Sequence, residues 1–412
     1  MSILFLSQLL PYPPDAGPKV RSYFILRYLA QKHAVTLLTF TRPDDKPEAI
    51  SHLEEFCQAV HTVPMVRSRA RDVKSLSTSL VTGQSFIINR DFVPGMALTI
   101  DRLLETNEYD IVHADQLWMA QYALRARDIS PGAGLVLDEH NACFQIFQRL
   151  AQGEKNPFKR LILEREWRAL KRYEGQACAQ FDHVVTVTQE DRACLEGLVN
   201  GRGQQKTKFF TIPICVDPQG VKPVAPVPGS QDVLHLGTMF WLPNVEGVMW
   251  FANEVWSKII AQIPDATFTI VGKKPPTAIE KLKNLKINIQ VTGYVPDPSP
   301  YLEQAGVFIV PLLSGSGMRV KILDAWRWGL PIVSTQVGAE GINYRDGENI
   351  LIADTPDEFA NAVVNILTNQ ELAESLRENG RRWVEQHYDW QIIYKTWDTV
   401  YKDLDTNLEI NH

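Results

Sequence analysis

The sequence predicts an α/β protein made of two Rossmann-like, doubly wound domains. Short apolar runs rich in β-branched residues alternate with longer helical patterns, which is typical of parallel sheets whose strands are joined by helices. This rhythm stops in a proline-rich stretch, residues 212–230, and then starts again. The chain of 412 residues also exceeds the length that one hydrophobic core usually supports, roughly 250 to 300 residues.

The first half contains five apolar runs that we expect to be buried strands. They are residues 3–7 (ILFLS), 34–40 (AVTLLTF), 110–114 (DIVHA), 134–140 (GLVLDEH) and 183–188 (HVVTVT). Helical patterns separate several of these runs. Residues 1–215 are therefore predicted to form an N-terminal Rossmann-like domain.

The second half repeats this pattern after the proline-rich stretch, whose composition favours an extended linker. The predicted strands are residues 232–237 (DVLHLG), 267–272 (TFTIVG), 287–293 (INIQVTG), 307–312 (VFIVPL) and 331–335 (PIVST). Residues 216–385 are therefore predicted to form a second domain of the same class.

The end of the chain is predicted to be helical. Residues 357–379 carry apolar side chains at helical spacing, and we expect Gly380 to interrupt this helix. An aromatic-rich helical pattern then resumes. Residues 386–412 are predicted to form a C-terminal helix and tail that pack back towards the N-terminal domain.

Composition excludes some classes of partner and indicates a compartment. The net charge of −6 lacks the positive field that nonspecific nucleic-acid binding requires. The five cysteines contain no Cys-x-x-Cys pair, which favours a reducing compartment, and we expect the cytoplasm. The N-terminus lacks the basic region of a signal peptide, and no apolar run reaches the ~18 residues of a spanning helix. Any membrane contact would be peripheral, at the inner membrane surface.

Residues 155–172 are a candidate for such a contact. This segment (KNPFKRLILEREWRALKR) has seven basic and two acidic residues interleaved with apolar ones. The pattern is consistent with a helix lying on a membrane surface. Such a stretch is more often a solvated helix that packs by its apolar face.

A glycine-rich turn in residues 311–335 is the most informative segment for function. It follows a predicted strand, contains Gly315, Ser316 and Gly317, and leads into a helix that we expect to open near Met318. Glycines let a ligand approach the backbone closely, and a helix N-terminus presents free N–H groups to an anion. A diphosphate is the anion that such a turn suits.

Three charged residues follow the turn. Arg319 and Lys321 place two positive charges where a phosphate would bind, and each charge-assisted hydrogen bond contributes about 1.5 to 3 kcal/mol. Asp324 lies one helical turn after Lys321, where its carboxylate could accept two ribose hydroxyls. The alternative is a plain strand-to-helix turn in which Lys321 and Asp324 form a solvated pair.

The first half offers candidates for a second binding site. His113 and His140 are predicted near the carboxyl ends of strands, where open α/β sheets bind ligands. A histidine there can donate a hydrogen bond or a proton to a ligand, since its pKa lies close to neutral pH. Gly17 could turn backbone amides towards the same cleft, with Lys19 and Arg21 nearby. Each of these residues could instead have only a structural role.

Several segments together resemble the retaining glycosyltransferases of family 4. The N-terminal segments are residues 11–39 (PYPPDAGPKVRSYFILRYLAQKHAVTLLT) and 136–142 (VLDEHNA). The C-terminal segments are residues 237–251 (GTMFWLPNVEGVMWF), 291–312 (VTGYVPDPSPYLEQAGVFIVPL) and 317–335 (GMRVKILDAWRWGLPIVST). The resemblance implies the GT-B architecture, in which two Rossmann-like domains face each other across a cleft.

The resemblance also implies an activity and roles for residues. It implies transfer of a sugar from a nucleoside diphosphate sugar to a glycan, a lipid-linked or a small-molecule acceptor with retention of configuration. On the donor side, Gly315, Ser316, Gly317 and Met318 would contact the donor, with Gly237 nearby and with Tyr294 and Val295 at the base. Arg319 and Lys321 would hold the phosphates, Asp324 the ribose and His140 the transferring sugar. On the acceptor side the candidates are Gly17, Lys19, Arg21, His113 and Asn141.

The sequence departs from the family pattern at two places. The family has two glutamates in the donor loop, whereas this chain has Ser316 and Asp324. Thr238, Met239 and Trp241 stand where many members have an arginine and a lysine. No acidic pair lies where a metal-dependent sugar transferase would need it, so we expect no metal and no other cofactor, and the phosphates to be neutralised by arginine, lysine and a helix dipole.

Rival interpretations remain open at this stage. A nucleotide-sugar epimerase of similar architecture and a noncatalytic sugar-binding protein are both compatible with the pattern. A nicotinamide oxidoreductase is disfavoured because neither half has Gly-x-Gly-x-x-Gly after its first strand.

Overall fold

The protein consists of two compact α/β units in a computed structural model that describes residues 1–66, 68–199, 207–225, 227–315 and 317–410. The first unit contains Met1–Ile214 and the chain from Ile393 to the end of the described residues. The second unit is Cys215–Ile392. The α/β class predicted from the sequence is confirmed.

The first unit is built around a parallel sheet of seven strands, in the order β3-β2-β1-β4-β5-β6-β7. The strands are β1 (Ser2–Ser7), β2 (Ala34–Thr41), β3 (Ala59–Pro64), β4 (Ile111–Asp115), β5 (Gly134–Glu139), β6 (His183–Thr186) and β7 (Lys208–Thr211). The chain order reverses between β1 and β4, which is the point where doubly wound sheets open a crevice for ligands.

Eleven helices accompany this sheet in the described residues of the first unit. They are α1 (Gly17–Ala30), α2 (Pro47–Glu54), α3 (Arg69–Thr82), α4 (Phe86–Asp91), α5 (Pro94–Thr106), α6 (Leu117–Ala123), α7 (Ala126–Ile129), α8 (Cys143–Gly153), α9 (Pro157–Cys178), α10 (Gln189–Val199) and, from the chain end, α20 (Thr396–Ile410). The core contains fully buried residues from five strands, among them Leu4, Leu38, Val112, Leu137 and Val184.

The second unit has a parallel sheet of six strands in the order β10-β9-β8-β11-β12-β13. The strands are β8 (Asp232–Leu236), β9 (Thr267–Val271), β10 (Ile289–Gly293), β11 (Ala305–Val310), β12 (Ile332–Ser334) and β13 (Leu351–Ile352). The helices are α11 (Leu242–Trp250), continued by a π-helical turn, α12 (Trp256–Ile260), α13 (Thr277–Glu280), α14 (Leu282–Leu285), α15 (Ser299–Gln304), α16 (Val320–Arg327), α17 (Pro356–Thr368), α18 (Gln370–His387) and α19 (Trp390–Ile393). Its order reverses between β8 and β11.

The helix break predicted at Gly380 is wrong. The chain breaks at Asn369 instead, where the Asn369 side chain accepts a hydrogen bond from Leu372 N and caps α18. Gly380 lies inside α18 and packs on the buried Trp326 of α16, since a Cβ at position 380 would approach the indole to 2.3 Å. The glycine allows close helix packing rather than ending a helix.

The C-terminal helix α20 packs on the first unit. Trp397 and Tyr401 are fully buried there, and Leu404 fills the space above Gly134, where an added Cβ would lie 3.3 Å from it. Asp398 accepts a hydrogen bond of 3.0 Å from the Tyr28 hydroxyl. Across the described residues, no helix combines the length and the apolarity that crossing a bilayer requires.

Candidate functional site

The site in the second unit forms where the chain leaves the carboxyl ends of β8, β9 and β11. Gly237 follows β8 and Gly272 follows β9, and their backbones touch, since a Cβ on Gly272 would lie 1.8 Å from Gly237 O. Helix α11 approaches the segment after β11 equally closely, since a Cβ on Gly247 would lie 2.4 Å from Pro311 O. These glycines let three loops converge at the sheet's reversal point.

Lys321 lies at the centre of this convergence. Its Nζ donates to Asn244 Oδ1 at 2.7 Å, and Asn244 Nδ2 donates to Thr238 O at 2.9 Å. A Cβ on Gly237 would lie 2.9 Å from Lys321 Nζ, so a larger residue there would displace the ammonium group. Sequence reasoning missed Asn244, whose signal was its place in the first turn of the helix after β8.

The ammonium of Lys321 lacks a carboxylate partner within the described part of the chain. Burial and the positive charge of Arg319 lower the pKa of Lys321 to about 7. An anion bound here would reverse this shift, because opposite charge favours the protonated amine. The arrangement therefore suits a polyanion such as a diphosphate.

Gly315 and Gly317 lie next to the Arg319 guanidinium. Gly315 and Gly317 have φ of 124° and 78°, conformations that side chains other than glycine rarely adopt. Arg319 Nη1 donates to Gly317 O at 3.0 Å, and its guanidinium lies 5.7 Å from the Trp241 ring centroid. Glu340 Oε2 lies 3.6 Å from Nη2. In the sequence Trp241 stands out only as a departure from the family pattern, whereas in the structure its ring contacts the Arg319 guanidinium.

Two expectations for this turn need correction. Helix α16 begins at Val320, so the turn is longer than the sequence suggested, and Met318 is buried with 8% exposure. The Met318 side chain packs inward because the chain has not yet entered the helix there. Arg319 is also buried, with 4% exposure, beneath the turn. Ser316 lies outside the described residues.

The other donor-side candidates lie on accessible surface. Asp324 is 42% exposed and pairs with Arg327 at 3.1 Å, not with Lys321. Tyr294 directly follows β10 and is 61% exposed, with Lys273 Nζ 4.7 Å from its ring centroid, and Val295 is half-buried beside it. Their contacts with a nucleotide stay a prediction.

The corresponding point in the first unit is occupied by a buried charge network around His140. His140 Nε2 lies 2.9 Å from Asp115 Oδ1 and 3.3 Å from Asp138 Oδ2. The hydroxyls of Ser7 and Ser22 each donate to Asp115 Oδ2 at 2.8 Å. Asp115 ends β4 and Asp138 lies near the end of β5, so adjacent strand ends bring the carboxylates together. Sequence reasoning named His140 but missed both aspartates.

This network fixes the state and direction of the His140 ring. Burial opposes a charge on the ring, but Asp115 and Asp138 outweigh it and raise the pKa of His140. His140 Nδ1 is buried and makes no hydrogen bond with the described residues. An imidazolium held in this way has one N–H left to donate.

Arg21 does not face an acceptor, contrary to the sequence expectation. It is fully buried, and its Nε and Nη2 donate hydrogen bonds to the Asp138 carboxylate at 2.8 and 2.6 Å. Its Nη1 donates to Ile212 O at 2.7 Å and Pro213 O at 3.1 Å. Position 21 of α1 points at the sheet, so the hydrogen bonds of Arg21 link α1 to β5 and to Ile212 and Pro213. Arg21 and His140 hold the pKa of Asp138 well below its usual range despite burial.

His113 is a core residue rather than a site residue. Strand β4 continues to Asp115, so His113 lies inside the strand and is fully buried. Its ring stacks on Phe5 with centroids 4.4 Å apart, and Nδ1 lies 2.7 Å from the Tyr401 hydroxyl. Burial lowers the pKa of His113 to about 4, so the ring is neutral.

The remaining acceptor-side candidates flank the His140 network without joining it. Gly17 begins α1, and Lys19 lies 3.6 Å from Asp15. Asn141 follows His140 and is half-buried. Their role towards an acceptor stays a prediction.

Among the described residues, two groups of side chains are close enough to share a metal ion, with ligand atoms within 4.8 Å of one another. In the first, Asp115, Asp138 and His140 already bond with Ser7, Ser22, Arg21 and each other. In the second, made of Glu139, Cys143 and Glu174, the Glu174 carboxyl accepts from Cys143 N at 2.6 Å and Phe144 N at 2.9 Å. Burial raises the pKa of Glu174 to about 8, so this group can hold protons in place of a cation.

Comparisons with known proteins assign both halves of the chain. Residues 17–219 match the model of Glycosyltransferase Family 4, and residues 230–369 match that of Glycosyl transferases group 1. An uncharacterized 44.6 kDa protein in the cps region of Klebsiella pneumoniae is 24% identical over 96% of this chain and 98% of its own length. The 2-deoxystreptamine N-acetyl-D-glucosaminyltransferase of Niallia circulans is 29% identical over 42% of this chain and 45% of its own length.

Solved structures match the fold of nearly the whole chain. Anabaena HepE, crystallised with UDP and glucose, superposes with a TM-score of 0.64 at 15% identity and covers 98% of this chain and 100% of its own. TarM superposes with a TM-score of 0.66 at 12% identity, over 97% of this chain and 98% of its own. The two matched segments together span most of the sequence. The protein therefore belongs to the group 1 family of glycosyltransferases and has the GT-B fold.

Proposed function

We propose that this glycosyltransferase moves a sugar from a nucleoside diphosphate sugar to an acceptor hydroxyl with retention of configuration. The observation that carries the proposal is the pair of cations at the reversal point of the second sheet. Lys321 lacks a carboxylate partner in the described residues and has a lowered pKa, and Arg319 lies beside it under a turn held open by Gly315 and Gly317. Such a site gains most from a ligand with several negative charges.

Each part of the donor has a proposed partner. Arg319 and Lys321 bind the diphosphate, and the backbone of the Gly315 to Gly317 turn adds N–H groups. Asp324, which is exposed, accepts the ribose hydroxyls. Tyr294 and Val295 contact the base. Gly237 keeps the space above Lys321 clear.

The reaction needs positioning and charge stabilisation more than an enzymic nucleophile. The bond between the anomeric carbon and the phosphate oxygen breaks, and its electron pair leaves with the diphosphate. The acceptor oxygen forms the new bond on the same face, and its proton goes to the leaving phosphate oxygen. Fixed cations stabilise the charge that grows on the diphosphate, without a divalent metal.

On the acceptor side we assign His140 to the transferring sugar. Asp115 and Asp138 raise its pKa and so favour the protonated ring, whose Nδ1–H can donate to a sugar hydroxyl or to the departing phosphate. Gly17, Lys19 and Asn141 flank the acceptor, which is a glycan, a lipid-linked sugar or a small molecule. The cytoplasm is the proposed location, in keeping with five cysteines of which none forms a disulfide.

Thermal unfolding with and without ligands tests the donor class. UDP, GDP, ADP and their sugar conjugates are screened, and one nucleoside diphosphate is expected to stabilise the protein by about 2.7 kcal/mol at 100 times its Kd. Lys321→Ala should abolish most of this stabilisation, whereas Lys283→Ala, at an exposed position of the same unit, should retain it. The absence of stabilisation by every nucleoside diphosphate would contradict the proposal.

Chelation tests the metal-free mechanism separately. Transfer is expected to persist in EDTA because two protein cations replace the metal. Complete loss in EDTA, with recovery on adding magnesium or manganese, would show that the cations do not suffice.

A further inference from the structure

The outer helices α3 and α9 of the first unit carry exposed apolar side chains, which we name the apolar patch: Val73, Leu76, Leu80, Phe158, Leu161 and Ile162. Phe158 is 79% exposed, and Leu161 and Ile162 are each 66% exposed. Within each helix the three residues recur at spacings of three and four, so they share one face. Single exposed apolar residues are ordinary, but six on two joined helices are not.

The two helices are fixed to each other. Arg165 of α9 donates to Ser79 Oγ at 3.0 Å and also to Ser79 O, and Arg172 donates to Gly83 O at 3.1 Å. Ser79 is the chain neighbour of Leu80, and Arg165 lies one turn after Ile162. The apolar groups of the two helices therefore lie to either side of this contact.

Glu166 adds a buried anchor beneath the patch. Its carboxylate accepts from Ser85 Oγ at 2.6 Å and from Phe86 N at 3.0 Å at the start of α4. Helix α4 follows α3 directly, so α9 is joined to both helices. The exposed side chains therefore lie on helices that these hydrogen bonds hold in place.

Positive charge surrounds the apolar patch. The exposed cations are Arg69, Lys74, Lys155, Lys159, Arg160 and Arg168. The acids on these segments are fewer and are half-buried or buried, and one of them, Glu164, is already bonded to Arg160 and Arg168 at 3.0 Å. The surface combines apolar side chains with an excess of cations.

We propose that the apolar patch docks the first unit on an anionic lipid bilayer. The apolar side chains would enter the interface between headgroups and acyl chains, while the surrounding lysines and arginines meet lipid phosphates. A protein partner fits less well, because lysine is depleted from the cores of protein interfaces. Binding would be peripheral, because the docking side chains are already exposed and need no change of fold.

The docking surface also bears on the acceptor. Helix α8 starts directly after the His140 segment and leads into α9, so the bilayer would lie at the far end of the helix that leaves the site. A bilayer at this position favours a lipid-linked acceptor, and this inference rests on the proposed function. Vesicle binding needs no sugar nucleotide, so its failure is distinct from failure of the donor site.

Cosedimentation of the full chain with vesicles tests the docking surface. Vesicles of phosphatidylcholine mixed with phosphatidylglycerol should bind the protein, and phosphatidylcholine alone should bind it weakly. Leu161→Ser with Ile162→Ser should weaken binding at least about tenfold per residue. Lys159→Glu with Arg160→Glu should weaken it about 25-fold or more, since each cation near the surface contributes about fivefold. Leu98→Ser, which removes an equally exposed leucine (66%) from α5, is the matched control.

The outcomes separate the alternatives. Binding that is equal for the double variants and for Leu98→Ser, equal for both kinds of vesicle, or absent for the parent chain would overturn the proposal. Self-association that Leu161→Ser with Ile162→Ser abolishes, in a chain that ignores vesicles, would show that the patch covers a second copy instead. Circular dichroism of each variant confirms that the fold is retained.

Discussion

The two sheets reverse their strand order at equivalent points, but the charges gathered there are arranged in opposite ways. In the first unit the charges of Arg21, Asp138, Asp115 and His140 pair with one another at 2.6 to 3.3 Å. In the second unit Lys321 has an amide partner and Arg319 has Glu340 at 3.6 Å. The first arrangement is complete without a ligand and orients one histidine. The second is electrostatically incomplete and becomes favourable when an anion binds.

The largest expected effect is on stability, and it distinguishes the two networks. Arg21→Ala leaves a buried carboxylate without its counter-charge, so it should lower the free energy of unfolding by about 3 to 5 kcal/mol. Lys321→Met removes a cation whose charge the fold disfavours, so stability should change by less than about 0.5 kcal/mol or rise. Urea unfolding measures both.

Lys19→Ala, on the same helix as Arg21, is the control and should be nearly neutral because its ion pair is long and partly exposed. Equal losses for Arg21→Ala and Lys19→Ala would break the comparison.

The next largest effect is on turnover. Charge on the leaving diphosphate grows as the glycosidic bond breaks, so Arg319→Ala and Lys321→Ala should each cost roughly 2 to 4 kcal/mol of barrier, or about 30-fold to nearly 1000-fold in kcat. Arg319→Ala should also loosen the glycine turn, because Arg319 bonds to Gly317 O. Steady-state kinetics with direct donor binding separates these effects. If donor Kd rises in proportion to the loss of kcat/KM while kcat holds, the cations serve binding alone.

Removal of the ribose partner should affect affinity alone. Asp324→Ala is expected to weaken nucleoside diphosphate binding about tenfold, because a charge-assisted hydrogen bond contributes about 1.5 kcal/mol at the lower limit. The fold should be unaffected, since Asp324 is on the surface and pairs with a neighbour in the same helix. Unchanged affinity in calorimetry would remove Asp324 from the site.

The smallest expected effect is a shift in pH dependence. Asp115 raises the pKa of His140, so the charged ring contributes stability below its unfolded pKa, and this is lost as pH rises through the higher folded pKa. Asp115→Asn should lower that folded pKa and move the alkaline limb of kcat/KM to lower pH. Asp101→Asn, which breaks a surface pair with Arg125, should leave the limb in place. A limb that moves in neither variant would mean that His140 does not act as a proton donor.

The sequence predicted the central strands of both sheets but not β3, β7 or β13. The missed strands all lie at sheet edges, and β13 has only two residues. Edge strands bury one side less completely, so their apolar runs are weaker: β7 has no fully buried residue and β3 has one, Val63. Runs of buried residues carry the signal that patterns detect, and of the four edge strands the sequence predicted only β10.

The site was predictable in part. The glycine turn and its cations were visible because their chemistry lies within a few consecutive residues. Asp115 and Asp138 were not, because nothing local distinguishes an aspartate at the end of a strand from one in a loop until Arg21 and His140 are brought to it across the sheet. The same reasoning failed for His113, where one more residue of strand moved the ring into the core.

The number of protons taken up on nucleotide binding tests most directly whether Lys321 is part of an anion-binding site. With a pKa of about 7 in the free protein, Lys321 is mostly neutral at pH 8, whereas the terminal phosphate, with a pKa near 6, is already ionised. Binding should raise the lysine pKa and take up close to one proton, roughly 0.9 per nucleotide at pH 8. Calorimetry in buffers of different ionisation enthalpy measures this number. The expected result is uptake by the parent chain and none by Lys321→Met; no uptake in the parent, or equal uptake in both, would contradict it.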